Sequence, residues 1–472
     1  MSLDDHRPVR EVRTALKDAP ERIWIVGGTL RDDLLGREVT DVDLAVEGDP
    51  QAIARRIADA AGGAVFSLSD EFGSWRAIAA DRSWVADVSA LQGATIEEDL
   101  SRRDFTVNAM AQPLDGGELL DPHGGQTDLE AGVLRVLGPE AYQADALRAL
   151  RAARLATELP LTLDPGTARL TREAAPRVAN VSAERVFAEL RRIVIAERVL
   201  EGIALAEDLE LMQVVLPELT ALRGVEQSHF HHLDVHDHTI EVLRQQVWLE
   251  GALGEVFPED AERLRAVLDE PLANELTRGQ ALRFAALLHD VGKPVTRGEL
   301  PDGRVSFVGH DRVGADMVSA IFRALRASER LTQFVAAITR HHLVLGFLVH
   351  DRPLSRRAVY RYLTTCEPVE VEVTLLSCAD RLATRGKNAE PAIEAHLDLA
   401  RELMHEALAW RQAGPPELPL RGDELAAEVG IEPGPELGEL IALLREARFA
   451  GEAATREEAV ELARSLRQNS AR

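Results

Sequence analysis

Between residues 20 and 90 the apolar positions come in short bursts. RIWIVGG (22–28), DVDLAVE (41–47), GAVFSLS (63–69), SWRAIAA (74–80) and SWVADVSA (83–90) are rich in β-branched and aromatic residues and bounded by turn residues. That pattern predicts strands. DPQAIARRIADAAGG (49–63) has helical spacing instead, with an Asp-Pro start and a stop on Gly62 and Gly63. From about Pro139 onward Ala, Leu, Glu and Arg dominate with helical periodicity, and strand signals become rare. PRVANVSAERVFAELRRIVI predicts a helix from Ser182, with Asn180 and Ser182 as candidate caps. Loop-like stretches fall at LRGVEQSHFHH, GELPDGRVSF and RQAGPPELPLRG. The pattern predicts an α/β head followed by a long helical body.

Composition narrows this picture. A chain of 472 residues predicts two to four domains. Hydrophobic content of 46% suffices for packed cores, and 4% aromatics makes those cores aliphatic. Cys366 and Cys378 are the only cysteines, which excludes a disulfide framework and fits a reducing compartment. The charged start MSLDDHRPVREVR has no signal-peptide core, and no apolar run approaches the ~18 residues of a membrane span, so a cytoplasmic protein without membrane contact is expected. The formal net charge of −25 weighs against a surface that binds nucleic acid everywhere. It leaves room for a basic cleft, because affinity for phosphate follows the local field.

The candidate chemistry starts at IWIVGGTLRDDLLGREVTDVDLAVEG. Asp41 and Asp43 stand two apart on a predicted strand, so both side chains project from one face. Adjacent carboxylates repel unless a cation sits between them. Alone, the pair reads equally as a solvated strand end or as a cation site. Gly27 and Gly28 precede a helix and suit a phosphate, Arg31 adds a charge-assisted contact, and Asp41 with Asp43 suit Mg²⁺. Asp87, at the end of another strand, is a candidate third carboxylate with the same solvated alternative.

GGTLRD…DVDL resembles the first motif of polymerase-β-superfamily nucleotidyltransferases. EEDLSRRDFTVNAMA, DPHGGQTDLEAGVLRVL, DALRALRAARLA and SAERVFAELRRI resemble, in order, the remaining motifs of class II CCA-adding enzymes and bacterial poly(A) polymerases. The match covers roughly residues 20–195. It implies an α+β fold class, with a polymerase-β-like head carrying a small mixed sheet, then an all-α neck, an HD domain and a helical tail. The implied boundaries are 1–137, 138–222, 223–400 and 401–472. The resemblance makes Asp41, Asp43 and Asp87 catalytic. It gives Gly27, Gly28, Arg31, Arg103, Asp104 and Asn108 to triphosphate and ribose, with Phe105 as core. Asp145, Arg148, Arg151 and Arg154, read as sharing a helix face, would recognise base and phosphate, selecting CTP and ATP without a template.

Two features depart from the family pattern. Ala144-Asp145 stands where the family usually has Glu-Asp. Only 14 residues, Val88 to Ser101, separate Asp87 from the RRD motif. Many relatives carry a longer segment there, associated with the switch from C to A addition, which makes CC-only addition a specific expectation.

A second constellation follows in SHFHHLDVHDHTIEVL, FAALLHDVGKP, FVGHDRVGADM, TRHHL and SCADRLATRG. His238, His289, Asp290 and Asp380 resemble the ligands of an HD-type metal phosphohydrolase, with His310 and His341 as an extension to a second metal. His342 competes with His341, and Lys293 is a candidate phosphate contact. A transition metal suits such ligands. His229, His231, His232 and His236 read as loop or surface histidines. The reading as a whole is a Mg²⁺-dependent nucleotidyltransferase acting on the tRNA 3′ end with CTP and ATP. Its alternatives are a poly(A) polymerase of the same family, or an HD phosphohydrolase whose head only binds RNA or nucleotide.

Overall fold

The computed structural model describes residues 3–69, 73–227, 233–385 and 389–470. The chain divides into two compact units, Met1–Val215 and Leu216–Arg472.

The first unit opens with helix α1 (Arg7–Leu16) and strand β1 (Ile23–Val26), then α2 (Gly28–Leu34), β2 (Asp41–Val46), α3 (Pro50–Ala60), β3 (Ala64–Ser69), β4 (Ser74–Ile78), β5 (Val85–Ala90), α4 (Ile96–Ser101) and β6 (Ala111–Pro113). The five predicted strands and the predicted helix form where the apolar pattern put them. The Asp49 side chain accepts from the Gln51 N–H to start α3, and Pro50 occupies its first turn. The six strands form one mixed sheet in the order β3-β4-β5-β2-β1-β6. β2 and β5 pair in parallel, and the other neighbours are antiparallel. A parallel pair needs a crossover. Here α3 and the β3–β4 hairpin supply it, and α3 packs on β4 and β5. α4 packs Ile96 and Leu100 against Trp24, Val26 and Ala45.

The rest of this unit is mainly helical: α5 (Gly125–Glu130), α6 (Pro139–Ala144), α7 (Leu147–Glu158), α8 (Pro165–Ala174), α9 (Ala183–Ile195) and α10 (Val199–Asp208). α9 begins directly after Ser182, although that side chain makes no capping bond. α7 is the hub, in contact with both α9 and α10.

The second unit is helical around Arg278–Leu288, a helix buried at every position but Gln280. It packs against Val235–Gly251, Glu329–His341 and Glu370–Ala383. Its two arginines are paired, Arg278 with Glu372 and Arg283 with Glu250, and the rest of its surface is mostly apolar, which places it in the core. The loop-like GELPDGRVSF carries a short two-stranded pairing, Gly298–Glu299 with Val305–Ser306. Gly422–Val429, Pro435–Phe449 and Arg456–Ser470 contribute a separate apolar cluster centred on Leu425, Leu444 and Ala463.

Candidate active site

Asp41 and Asp43 lie on β2 with Val42 fully buried between them, so the two carboxylates share the opposite face. Gly27 has φ +62, a conformation other residues rarely adopt, and a Cβ there would come within 3.0 Å of the Arg103 guanidinium. This turn aims the Gly28 N–H at Asp43 Oδ2, 2.8 Å away. The glycine pair therefore first holds the carboxylate. Burial pushes Asp41 upward, and Asp87 adds to that against the opposing charge of Arg76. Burial and Asp87 likewise raise Asp43, with Arg103 opposing. After burial, Asp87 is the carboxylate that raises the cost of ionising both, as expected of a site built for a cation.

Asp87 pairs opposite Asp43 in the parallel ladder. It is held by Arg76, a residue that sequence reading missed, at 2.6 Å on each carboxylate oxygen. From Arg31 a polar chain runs toward α7. Arg31 donates to Asn108 at 2.7 Å, Asn108 donates to Asp104 at 2.9 Å, and Asp104 pairs with Arg151 at 2.7 Å. Burial pushes Asp104 up, but Arg151, Asn108 and Arg148 outweigh it and hold the carboxyl below its ordinary range. Arg103 is fixed by Asp99 at 2.9 Å. Phe105 is fully buried, as a core residue.

Beside this network a cavity of about 310 Å³ is lined by Gln92, Asp99, Arg102, Arg103, Asp104, Asp145, Arg148, Arg151 and Arg185. Its size suits a nucleotide-scale ligand. Asp145 reaches it from a different place than expected. It follows α6 in extended conformation, and its side chain accepts from the Leu147 N–H at the start of α7. It therefore faces the cavity from a turn and not from the arginine helix. Arg185 on α9 pairs with it at 2.5 Å. Arg148 donates to the Arg103 carbonyl at 3.0 Å. Of the expected nucleotide contacts, Arg103, Asp104, Asp145, Arg148 and Arg151 line the cavity, whereas Gly27, Gly28, Arg31, Asn108 and Arg154 do not. Arg154 is 3% exposed, bonded to Glu189 at 2.5 Å and Glu158 at 2.6 Å. Six residues beyond Arg148, it joins α7 to α9 and lies outside the cavity lining.

In the second unit His238, His289 and Asp290 place one donor atom each within 4.8 Å of one another, and so do Asp290, His310 and His342. Asp380 lies 3.0 Å from His238 Nε2. Nδ1 of His289, His310 and His342 faces the carbonyls of Ala286, Phe307 and Thr339 at 2.9, 2.7 and 2.6 Å. A carbonyl only accepts, so each Nδ1 carries a proton. Nε2 of His289 and His310 lies 3.1 and 3.3 Å from Asp290, and burial pushes the His289 imidazole down, but Asp290 outweighs burial and raises it. The Nε2 atoms of His310 and His342 lie 3.3 Å apart, beside Asp290. The donor set fits divalent transition metals, with Asp290 common to both groups. His342, not His341, completes the second group. His342 is 2% exposed just past the end of helix Glu329–His341, whereas His341, one position earlier and about 100° round the axis, is only half-buried. Lys293 Nζ sits 2.6 Å from Asp290 Oδ2. His236 is buried against Asp237 and is no surface histidine. His229, His231 and His232 lie outside the described residues.

Residues 23–135 match the family model for the poly A polymerase head domain, residues 160–222 that for a probable RNA- and SrmB-binding site of polymerase A, and residues 235–385 that for the HD domain. The chain is 38% identical to an A-adding tRNA nucleotidyltransferase of Deinococcus radiodurans, across 95% of this chain and 96% of the relative. It belongs to the tRNA nucleotidyltransferase and poly(A) polymerase family. Within that family it is also 35% identical to a CC-adding tRNA nucleotidyltransferase of Thermus thermophilus, over 93% of this chain and 92% of the relative. A Thermotoga maritima CCA-adding enzyme complexed with tRNA shares the fold at TM-score 0.58 and 21% identity, over 96% of this chain and 93% of that one. A CCA-adding enzyme with ATP does so at 0.62 and 21%, with the same coverage. Family membership accounts for an α+β head joined to an HD body. No helix among the described residues is long and apolar enough to cross a membrane.

Proposed function

We propose that this protein is a template-independent, cytoplasmic tRNA 3′-end nucleotidyltransferase that adds CMP from CTP and stops before AMP. The carrying observation is the short connection after Asp87. β5 extends to Ala90 and α4 begins at Ile96, its start fixed by the Thr95 side chain accepting from the Glu98 N–H. Only Leu91–Thr95 remain, too few for the long segment associated with the change from C to A. Asp41 and Asp43 would hold Mg²⁺, which supplies charge to neutralise the triphosphate and activate the primer hydroxyl. Arg31 and Arg103 receive phosphates, Asp104 and Asn108 the ribose, and Asp145 with Arg148 the base edge. A guanidinium offers donors that suit cytosine O2 and N3. The primer's 3′-hydroxyl gives its proton to water as its oxygen bonds to the α-phosphorus, the bond from that phosphorus to the oxygen bridging to the β-phosphate breaks, and pyrophosphate leaves with the electron pair. The residue groups 1–137, 138–222, 223–400 and 401–472 are read as head, neck, HD domain and tail.

The test offers each NTP separately to tRNAs ending before C, CC and CCA. CMP is expected to be added twice to the shortest tRNA and AMP to none. Efficient AMP transfer to the tRNA ending in CC removes the C-only reading, and open-ended AMP growth favours a poly(A) polymerase.

We further propose that the HD site binds two divalent transition ions and is a phosphohydrolase centre, because Asp290 joins two groups of converging donors, one with His238 and His289 and one with His310 and His342. Bound metal there supplies an activated water for attack on a phosphate ester. Metal analysis should show His342→Ala losing about one equivalent while His341→Ala keeps both. The opposite pattern refutes the assignment.

A further inference from the structure

Asp87 stands opposite Asp43 in the parallel pairing of β2 with β5, and opposite Arg76 in the antiparallel pairing of β4 with β5. The three side chains thus form one row on one face of the sheet, stepping about 4.8 Å per strand. The row continues past Asp43 to the Gly28 N–H. Arg76 grips Asp87 through Nε and Nη2, which uses two of its five N–H groups. Among the described residues the other three meet no acceptor, and the side chain is 33% exposed at the outer end of the row.

We propose that Arg76 is a primer-positioning residue. It receives the terminal phosphodiester of the RNA whose 3′-hydroxyl attacks, and Asp87 is the counter-ion that holds its guanidinium in place. The inference rests on the nucleotidyl-transfer reading above. In that reaction the attacking and leaving oxygens lie on opposite sides of the α-phosphorus. The proposed triphosphate contacts Arg31 and Arg103 flank Asp43 on the β1 side, where Gly28 also holds its carboxylate. The attacking strand therefore arrives over β5 and β4, where Arg76 stands paired with Asp87. A guanidinium already fixed by one carboxylate loses little freedom on meeting a phosphate, and its fork suits the phosphate oxygens. Asp87, neutralised by Arg76, in turn stays compatible with an anionic strand passing above it.

The experiment compares wild type, Arg76→Ala and Arg76→Lys on tRNA lacking its CCA end. The KM for tRNA should rise roughly tenfold in Arg76→Ala, the loss expected for one hydrogen bond to a charged group, with KM for CTP unchanged. Arg76→Lys should recover part of the loss. In EDTA, without nucleotide, the salt dependence of tRNA binding should flatten by about 0.7 in log K against log salt, one phosphate contact to a single strand. An unchanged tRNA KM and an unchanged slope in folded Arg76→Ala overturn the proposal, as does an equal loss on CTP and tRNA. If wild type transfers no CMP at all, the nucleotidyl-transfer reading falls on that result, and the binding slope still decides whether Arg76 meets RNA.

Discussion

Glu370 has almost no access to water, at 2% exposure, and its neighbour Glu372 is fully buried. Glu372 has a partner, Arg278 at 2.5 Å. Burial pushes Glu370 up to about 7, with Glu372 adding to the shift and Arg411 and Arg278 opposing it. The raised value means that the folded state keeps a proton that the unfolded chain gives up. Stability is therefore fully retained below the ordinary glutamate range near 4.5 and falls as pH rises toward 7, by about 3 kcal/mol in all. Glu370→Gln carries a permanent neutral side chain of the same shape. It should melt with the wild type at pH 4.5 and clearly above it at pH 8. Equal melting temperatures at pH 8 would show that Glu370 ionises without cost.

At the scale of elements, the head's active face depends on the crossover from β2 to β5, and that crossover turns on one glycine. Gly63 joins α3 to β3, and a Cβ there would lie 1.8 Å from the Ile78 carbonyl oxygen on β4. The contact is backbone and has no flexible end to move aside. Gly63→Ala should cost on the order of 2–3 kcal/mol and lower activity by displacing β4, hence Arg76, from Asp87. Denaturant unfolding with a CMP-incorporation assay checks both effects, and a variant as stable as wild type would show that the hairpin relaxes freely. The same element shows where sequence reading stops. Asp41 and Asp43 were visible because period-two spacing is a local property, whereas Asp87, expected at a strand end, stands in the middle of β5, which runs on to Ala90. Arg76 was not visible, since its partner is fixed by strand register, which no local pattern encodes. Arg154 was misplaced because spacing of three along α7 states which residues are near one another, not which face meets α9. Asp145 was assigned to that helix because the break between α6 and α7 leaves no proline or glycine to mark it. His341 and His342 are chemically identical neighbours, and only the helix's rotation decides which turns inward.

At the scale of the molecule, two units carry two kinds of site made in different ways. In Met1–Val215 the carboxylate pair stands on a sheet that hydrogen bonds already hold. In Leu216–Arg472 the donors come from five places along the chain: His238 within Val235–Gly251, His289 and Asp290 just past Arg278–Leu288, His310 opening His310–Ala324, His342 after Glu329–His341, and Asp380 within Glu370–Ala383. Ions held there tie five helices together, and they favour the native state in proportion to RT ln(1 + [L]/Kd), about 2.7 kcal/mol at a hundredfold excess over Kd. Each unit has its own core, so calorimetry should resolve two transitions. Chelation should lower one of them by several degrees and leave the other in place, and Mg²⁺ with CTP should raise only the one that chelation spares. The assignment can be made on the same traces: Asp43→Asn should abolish the CTP shift and keep the chelation shift, whereas His289→Ala should do the reverse. A single transition that answers to both ligands would mean that the two units unfold as one, and the metal centre would then stabilise the nucleotidyl-transfer head as well as its own helices.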